Sequence, residues 1–248
     1  MEITYINHSG FLMEWETCYW LFDYYKGTIP KMDPKKKLFV FASHSHGDHF
    51  NPQIFSLSQQ FSNIEYILSS DIKPSKHFAL KNSNTNTIEE NIEEKIVSVK
   101  ANMEYEFWDQ NKEPIILKTL KSTDCGVAFL LNYQGKTIYH AGDLNLWVWK
   151  EESKQYNNNM TANFNKEMLQ LENLAIDIAF APLDPRQEEW YYMGLERLLR
   201  TAQIKYVFPM HFWEKPSVIE QFKRERDLMK DTNIVDISHD NQTWSIDL

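Results

Sequence analysis

A short apolar run followed directly by a histidine-rich loop constrains the fold of this chain more than any other feature of the sequence. Residues 38–42 are continuously apolar, which is typical of a β-strand that is covered on both faces. After the loop, Asn51 and Pro52 favour a helix start, residues 54–61 have helical spacing, and residues 64–68 again favour a strand. The region therefore predicts a β-α-β unit with a polar loop at the end of its first, buried strand.

The polar loop at that strand end holds imidazoles and a carboxylate at close spacing. Its sequence, HSHGDH, places His44, His46, Asp48 and His49 within six residues. A loop of ordinary capping residues is the alternative. In mild acid, however, imidazoles that nothing neutralises would become protonated and repel one another, which would lower the stability of the fold. A bound divalent metal ion removes that cost, so the loop is predicted to bind metal.

Two later strands are also followed by residue types that bind metals. A predicted strand over residues 136–140 leads into a small Ala-Gly pair and then Asp143. Another over residues 206–210 leads into His211. Loops at the ends of strands commonly converge on one site in α/β proteins. Asp143 and His211 are therefore predicted to join the histidine-rich loop.

Cysteine content and net charge limit which kinds of metal site and which binding partners are expected. Two cysteines, Cys18 and Cys125, are too few for a thiolate zinc site, so a metal here needs nitrogen and oxygen donors. The 26 Lys and Arg against 35 Asp and Glu give a net charge of −9, which disfavours nucleic acid and anionic membranes as partners. No apolar stretch approaches the ~18 to 20 residues of a membrane span, and no basic segment begins the chain. We expect a cytoplasmic protein with a small-molecule substrate, and leave a homo-oligomer open.

These motifs resemble those of the metallo-β-lactamase superfamily, especially its branch of small metal-dependent hydrolases similar to ascorbate-phosphate lactonases. The resemblance covers nearly the whole chain and rests on the HSHGDH loop, the Ala-Gly pair before Asp143, and His211. It implies an α/β (α+β) fold, a four-layer αββα sandwich. It also implies a single domain over residues 1–248, with halves of roughly 1–110 and 111–248.

The same resemblance implies which residues hold which ion. The implied ligands are His44 and His46 at one site, Asp48, His49 and His211 at a second, and Asp143 as a bridge between them. The implied cofactor is one or two divalent metal ions. Zinc is expected first, with manganese or iron as alternatives.

One position departs from the family pattern. The family usually has another histidine where this chain reads Ser122-Thr123-Asp124, before the strand that begins the next hairpin. Either Asp124, Thr123, Ser122 or water fills that coordination position, or the first ion is held weakly and the protein works with one ion. Ligand number and charge set the affinity of such a site, so the sequence leaves both readings open.

The activity implied by the resemblance is hydrolysis of a small, anionic ester, lactone or phosphodiester. A bound ion would lower the pKa of its water toward ~7, giving metal-bound hydroxide, and would polarise a carbonyl or phosphoryl oxygen. Asp48 is the catalytic candidate, as a ligand that also orients the water or passes its proton. The alternatives are a nuclease or phosphodiesterase, and a non-catalytic or regulatory metal-binding protein of the same fold.

Aromatic residues and one arginine near the predicted strand ends are candidates for binding substrate. Trp147 and Trp149 follow Asp143, and Arg186 follows a later strand. Aromatic walls exclude water, and an arginine binds carboxylate or phosphate. The alternative is that the tryptophans are core or subunit contacts and that Arg186 pairs with Asp184 or Glu188.

The remaining histidines and the later helices complete the expectations. His8, Asp23 and His140 are expected to support the site or the core, because groups behind metal ligands orient them, whereas His77 and His239 are expected at the surface. An asparagine-rich loop over residues 157–159 is predicted to precede a helix near residues 163–174, and a further helix is predicted over residues 188–202.

Overall fold

Two sheets, each with seven strands among the described residues, form the centre of the protein. The computed structural model describes residues 1–74, 90–226 and 232–248. In this part of the chain the strands are β1 (Glu2–Asn7), β2 (Gly10–Glu14), β3 (Cys18–Phe22), β4 (Lys37–Ala42), β5 (Ile64–Ser69), β6 (Ile96–Val99), β7 (Glu104–Trp108), β8 (Pro114–Lys121), β9 (Val127–Tyr133), β10 (Lys136–His140), β11 (Ala175–Pro182), β12 (Gln203–Met210), β13 (Asn233–Ile234) and β14 (Thr243–Ser245). The helices are α1 (Glu90–Glu93), α2 (Lys154–Met168), α3 (Met193–Thr201) and α4 (Ser217–Glu225), with 3-10 turns at Pro52–Gln59, Leu169–Leu171 and Pro185–Trp190.

Both sheets are mixed, antiparallel on one side and parallel on the other. The first has the order β14-β1-β2-β3-β4-β5-β6 and is parallel from β3 to β6. The second has the order β13-β12-β11-β10-β9-β8-β7 and is parallel from β10 to β13. β7 already belongs to the second sheet, and β14 returns to pair with β1. The predicted α/β sandwich of the metallo-β-lactamase type is confirmed.

Strand β4 lies between two apolar cores, as its continuous hydrophobic sequence predicts. Phe39 and Phe41 face the core between the sheets, where the ring of Phe41 lies 5.5 Å from that of Phe129. Leu38 and Val40 face a second core, formed with residues of the 3-10 turn Pro52–Gln59. Burial on both faces fixes the direction of β4, and so fixes where the loop after it emerges.

The prediction of a loop over residues 157–159 is wrong, because these residues lie inside α2. The helix begins after Ser153, whose side chain accepts a hydrogen bond from the backbone N–H of Tyr156 at 3.1 Å. The Asn157 side chain accepts from the N–H of Trp149 and donates to its carbonyl. The loop prediction rests on the intrinsic preference of asparagine for turns, which this tertiary contact overrides.

The helix predicted over residues 188–202 is divided in two. The 3-10 turn Pro185–Trp190 contains Glu188 at φ 51° and ψ −120°, a backbone conformation that interrupts a helix, and α3 starts only at Met193. His77 lies outside the described residues, so its expected surface position stays a prediction. None of the helices in the described ranges has both the length and the apolar character needed to cross a membrane.

Candidate metal centre

The ends of three strands bring together the residues predicted to bind metal. The HSHGDH loop follows β4, Asp143 follows β10, and His211 follows β12. His44, His49 and Asp143 are buried, and His211 is 2 % exposed. Asp48 and His46 are more open, with side chains 27 % and 50 % exposed. The two sheets therefore place their carboxyl-terminal strand ends around one site.

Asp143 lies at the centre of this site. Its Oδ1 atom is 3.1 Å from Nε2 of His49 and 3.3 Å from Nε2 of His211. Its Oδ2 atom is 3.4 Å from Nε2 of His44. The two oxygens of one carboxylate thus face different histidines, which is the arrangement that a bridging ligand needs.

The donor atoms form two groups, each with its atoms within 4.8 Å of one another. The first group is His8, Asp48, His49 and His211, and the second is His44, His46 and Asp143. His8 was expected only to support the site, but its Nε2 atom lies 3.5 Å from Oδ2 of Asp48. The only sequence signal for this role is that His8 directly follows β1, because the HSHGDH motif contains no residue from that strand.

Hydrogen bonds on the far side of each ring fix which nitrogen faces the site. Because a carboxylate only accepts, Nδ1 of His49 donates to Asp23 at 2.8 Å, and Nδ1 of His211 donates to Asp184 at 2.9 Å. Ser43 donates to Asp23 at 2.6 Å, so its hydroxyl oxygen accepts from Nδ1 of His44 at 3.0 Å. The Nε2 lone pairs are therefore the ones turned inward.

These inward atoms are buried and have no hydrogen-bond partner among the described residues. They are Nε2 of His8, His44, His49 and His211, and Oδ1 of Asp143. Buried acceptors that face one another are unfavourable, because each has lost water without gaining a donor. Divalent cations at the two donor groups would satisfy these atoms, and nitrogen and oxygen donors of this kind bind zinc, manganese or iron.

The spacing of the donors also suits an ion. Bonds of ~2.0 to 2.2 Å to a tetrahedral ion place neighbouring donors about 3.4 Å apart. The separations of 3.1, 3.3 and 3.4 Å around Asp143 are close to this value. The His8–Asp48 separation of 3.5 Å is also close to it. The residues present therefore fit divalent metal ions.

The protonation of the histidines agrees with a ligand role. Burial lowers the pKa of His8 and of His44 to about 4, so both rings are neutral at pH 7. Burial also lowers the pKa of His49, but the carboxylates of Asp143 and Asp23 outweigh it and raise that pKa well above its ordinary value. His49 thus has a carboxylate at each ring nitrogen, an arrangement that a positive charge at Nε2, from a proton or a metal ion, stabilises.

Two other histidines lie outside the donor groups. His140 donates from Nε2 to the carbonyl of Ser9 and accepts the N–H of Gly142 at Nδ1, so both of its nitrogens are used within the protein. Its ring stacks on Phe22 with centroids 4.9 Å apart, which places it in the core as expected. His239 is exposed and bonds the carbonyl of Asp240, which confirms its predicted surface position.

A cavity of about 240 Å³ opens beside the donor groups. Trp147 and Trp149 line it as a stacked pair, with centroids 6.0 Å apart and planes 4° apart. The Trp147 indole donates to the carbonyl of Asp143 at 2.9 Å, which ties this wall to the residue at the centre of the site. Arg186 also lines the cavity, and it pairs with Asp184 as the alternative reading expected. Sequence reasoning missed Tyr156, which lines the same wall from α2.

Trp213 is a second contact that sequence reasoning missed. Its indole donates to Oδ2 of Asp184 at 3.1 Å, and its ring lies 4.3 Å from the guanidinium carbon of Arg186. Its position two residues after His211 is the only sequence signal that could have indicated it.

The sequence also matches a family model over most of its length. Residues 2–211 match the model described as "Beta-lactamase superfamily domain". The chain belongs to the metallo-β-lactamase superfamily. A search of the curated proteins finds no significant match to this chain.

Solved structures share the fold at low sequence identity. A metallo hydrolase from the archaeon Ignicoccus hospitalis, Igni18, is 14% identical with a TM-score of 0.64, covering 100% of this chain and 98% of that one. The metallo-beta-lactamase fold protein YhfI from Bacillus subtilis is 14% identical with a TM-score of 0.58, covering 98% of both chains. Human tRNase Z, short form, is 14% identical with a TM-score of 0.57, covering 100% of both. At this identity, the likeness extends to the metallo-β-lactamase fold alone.

Proposed function

We propose that the protein is a metal-dependent hydrolase that cleaves a small ester, lactone or phosphodiester carrying an anionic group. The observation that supports this reaction type is the set of buried, partnerless donor atoms around Asp143, at the wall of a cavity. Membership of the metallo-β-lactamase superfamily is consistent with it. Zinc is the first expectation for the ion, with manganese and iron as alternatives.

Bound ions and Asp48 would have different roles in the hydrolysis. When bound, divalent ions at these donors would supply water activated for attack at neutral pH and would polarise the carbonyl or phosphoryl oxygen of the substrate. Burial alone raises the pKa of Asp48, but the contact with His8 and the charge of His49 outweigh it and hold that pKa well below its ordinary value. Asp48 is therefore ionised at neutral pH and lines the cavity. In that form it can orient a water molecule or accept its proton.

Arg186 supports an anionic substrate. Its Nε and Nη2 atoms donate to Asp184, which holds the guanidinium in one orientation. Within the described ranges no group accepts a hydrogen bond from Nη1, and the side chain is 47 % exposed at the cavity wall. A guanidinium that is fixed in this way still has N–H groups to bind a carboxylate or phosphate.

A nucleic-acid substrate fits the site less well. The chain carries a net charge of −9, and the cavity wall contains Asp48, Asp124 and Asp143 beside Arg186. Binding a polynucleotide requires several cationic contacts to successive phosphates. Trp149, stacked on the buried Trp147, instead offers one aromatic face at the cavity, which suits a small ligand.

Replacing Arg186 by methionine should weaken binding of anionic substrates selectively. The change keeps the length of the side chain but removes hydrogen bonds to a charged group, which are each worth ~1.5 to 3 kcal/mol, or roughly 10- to 150-fold. We expect KM to rise by that factor for an anionic ester, with less than about 3-fold change for its neutral analogue. Steady-state kinetics on such a pair, chosen from a panel of lactones, phosphodiesters, thioesters and β-lactams, measures the effect.

A matched control is Arg200→Met. Arg200 is an exposed arginine of α3 that pairs with Glu196, so its loss removes the same charge away from the cavity and should leave both KM values unchanged. Equal losses on the neutral and anionic substrates in Arg186→Met would instead assign Arg186 only to the support of Asp184. A panel on which the metal-loaded protein cleaves nothing would refute the proposed activity.

A further inference from the structure

We propose that Asp124 is a metal ligand, and that it completes a second ion site with His44, His46 and Asp143. The protein would then bind two ions rather than one. This inference rests on the proposed function only in treating the donor groups as a metal centre. It concerns the position at which the family usually has a histidine and this chain has none.

Distances place Asp124 beside the second donor group. Oδ2 of Asp124 lies 3.6 Å from Nδ1 of His46, and Oδ2 of Asp143 lies 3.4 Å from Nε2 of His44. Two ligands of one tetrahedral ion are separated by about 3.4 Å when the bonds are ~2.0 to 2.2 Å long. Both pairs have this separation, and the rings of His44 and His46 lie 4.6 Å apart. Asp124 itself lies outside the set of donors that are all within 4.8 Å of one another, and its half-exposed carboxylate meets that set through His46. A rotation of the exposed Asp124 and His46 side chains would bring the four donors around one ion.

A close backbone contact holds the Asp124 loop against the histidine loop. Gly126 has φ +71°, and a Cβ atom there would lie 2.0 Å from the carbonyl oxygen of Ser43 and 2.5 Å from Cβ of His44. The N–H of Val127 donates to that same carbonyl at 2.9 Å. Only glycine permits this approach, and the contact sets the position of Asp124 relative to His44.

The hydroxyl groups of Thr123 and Ser122, in the same loop, already form hydrogen bonds to other groups of the protein. The Thr123 hydroxyl donates to the carbonyl of Asn145 at 2.6 Å and accepts its N–H at 3.1 Å. The Ser122 hydroxyl accepts the N–H of Asp124 at 3.2 Å, which helps to orient that residue. No hydrogen bond to the Asp124 carboxylate is formed within residues 1–74, 90–226 and 232–248. Of the loop's side chains, Asp124 therefore has the free oxygen lone pairs.

The charge of the cavity favours two ions over one. Asp48, Asp124 and Asp143 face it together. Three carboxylates exceed the charge of a single divalent ion, and a second ion removes that repulsion. A carboxylate in place of imidazole also makes this site harder, which shifts its preference from zinc toward manganese.

Ion binding to the whole chain tests the proposal. Chelator-stripped protein is titrated with Zn²⁺ and, separately, with Mn²⁺ by calorimetry, and the loaded protein is analysed by elemental mass spectrometry. We expect two ions in the parent. We expect one in Asp124→Ala, with the second dissociation constant raised by more than the 10- to 100-fold that loss of a partner behind a ligand costs. Asp124→His should restore the second ion by replacing one donor with another.

The control is Glu152→Ala, which removes an exposed carboxylate close to Tyr156 at the cavity wall but outside both donor groups. It should keep two ions. One ion in the parent, or two ions with unchanged affinity in Asp124→Ala, would overturn the role of Asp124. Two ions in a parent that hydrolyses no substrate would leave this inference standing and refute the proposed function.

Discussion

Asp143→Ala is expected to lose its bound metal and at least ~10³-fold of its rate of hydrolysis. Among the residues that the structure describes, Asp143 is the one whose oxygens face both donor groups, at 3.1 and 3.3 Å from His49 and His211 and at 3.4 Å from His44. An ion at such a site contributes several kcal/mol to the reaction, and each 1.36 kcal/mol is a factor of ten in rate. Elemental analysis and the rate of substrate cleavage measure the two effects.

The control for this variant is another aspartate of the second sheet. Asp177 on β11 accepts a hydrogen bond from the N–H of Thr137 at 2.9 Å and lies outside both donor groups. Asp177→Ala should keep both metal and activity, apart from a modest loss of stability. Asp143→Asn, which preserves the shape of the side chain, should behave like Asp143→Ala. Full metal content in either Asp143 variant would contradict the bridging role.

Asp48→Asn should abolish most of the activity while the fold persists and most of the metal is retained. The pKa of Asp48 lies well below its ordinary value because the contact with His8 and the charge of His49 outweigh burial, so the parent has a carboxylate at neutral pH. An amide cannot accept the proton, and positioned proton transfer contributes ~10²- to 10⁴-fold to a rate. His8, His49 and His211 remain as donors in the variant.

The effect should be in kcat rather than in KM, because the proton is transferred only in the reaction itself. Stopped or continuous assays over pH 5 to 8, with metal content measured on the same sample, separate loss of proton transfer from loss of the ion. A variant that cleaves substrate at the parental rate would show that Asp48 has no role in the reaction.

Sequence patterns predicted the parts of this protein that local chemistry determines. The apolar run over residues 38–42 predicted a strand buried on both faces, which β4 is. The polar residues after β4, β10 and β12 were expected to meet, and the structure places them within hydrogen-bonding or ligand distance of one another. Each strand and the polar residues after it lie within one short segment. Because parallel strands end at the same edge of a sheet, the convergence of these residues could be predicted from local patterns.

Contacts between distant segments were the part that sequence could not supply. His8 joins a donor group because β1 runs beside β2 and its end meets His211, whose N–H donates to the His8 carbonyl at 3.2 Å. The early start of α2 depends on the bonds between Asn157 and Trp149. The options for the position of the missing histidine depend on the hydrogen bonds of Thr123 and Ser122 and on the approach of Gly126 to Ser43, which the sequence does not show. Each depends on tertiary packing, which local propensity does not encode.

Restoration of hydrolysis by added metal tests the central claim most directly. Protein stripped with chelator is assayed against the panel of lactones, phosphodiesters, thioesters and β-lactams, with and without Zn²⁺ or Mn²⁺. We predict no turnover in the stripped protein, turnover of at least one substrate on addition of metal, and a rise in Tm, since ligand at 1,000 times its Kd stabilises the fold by about 4.1 kcal/mol. Turnover that is the same with and without metal, or protein that binds neither ion, would contradict the account.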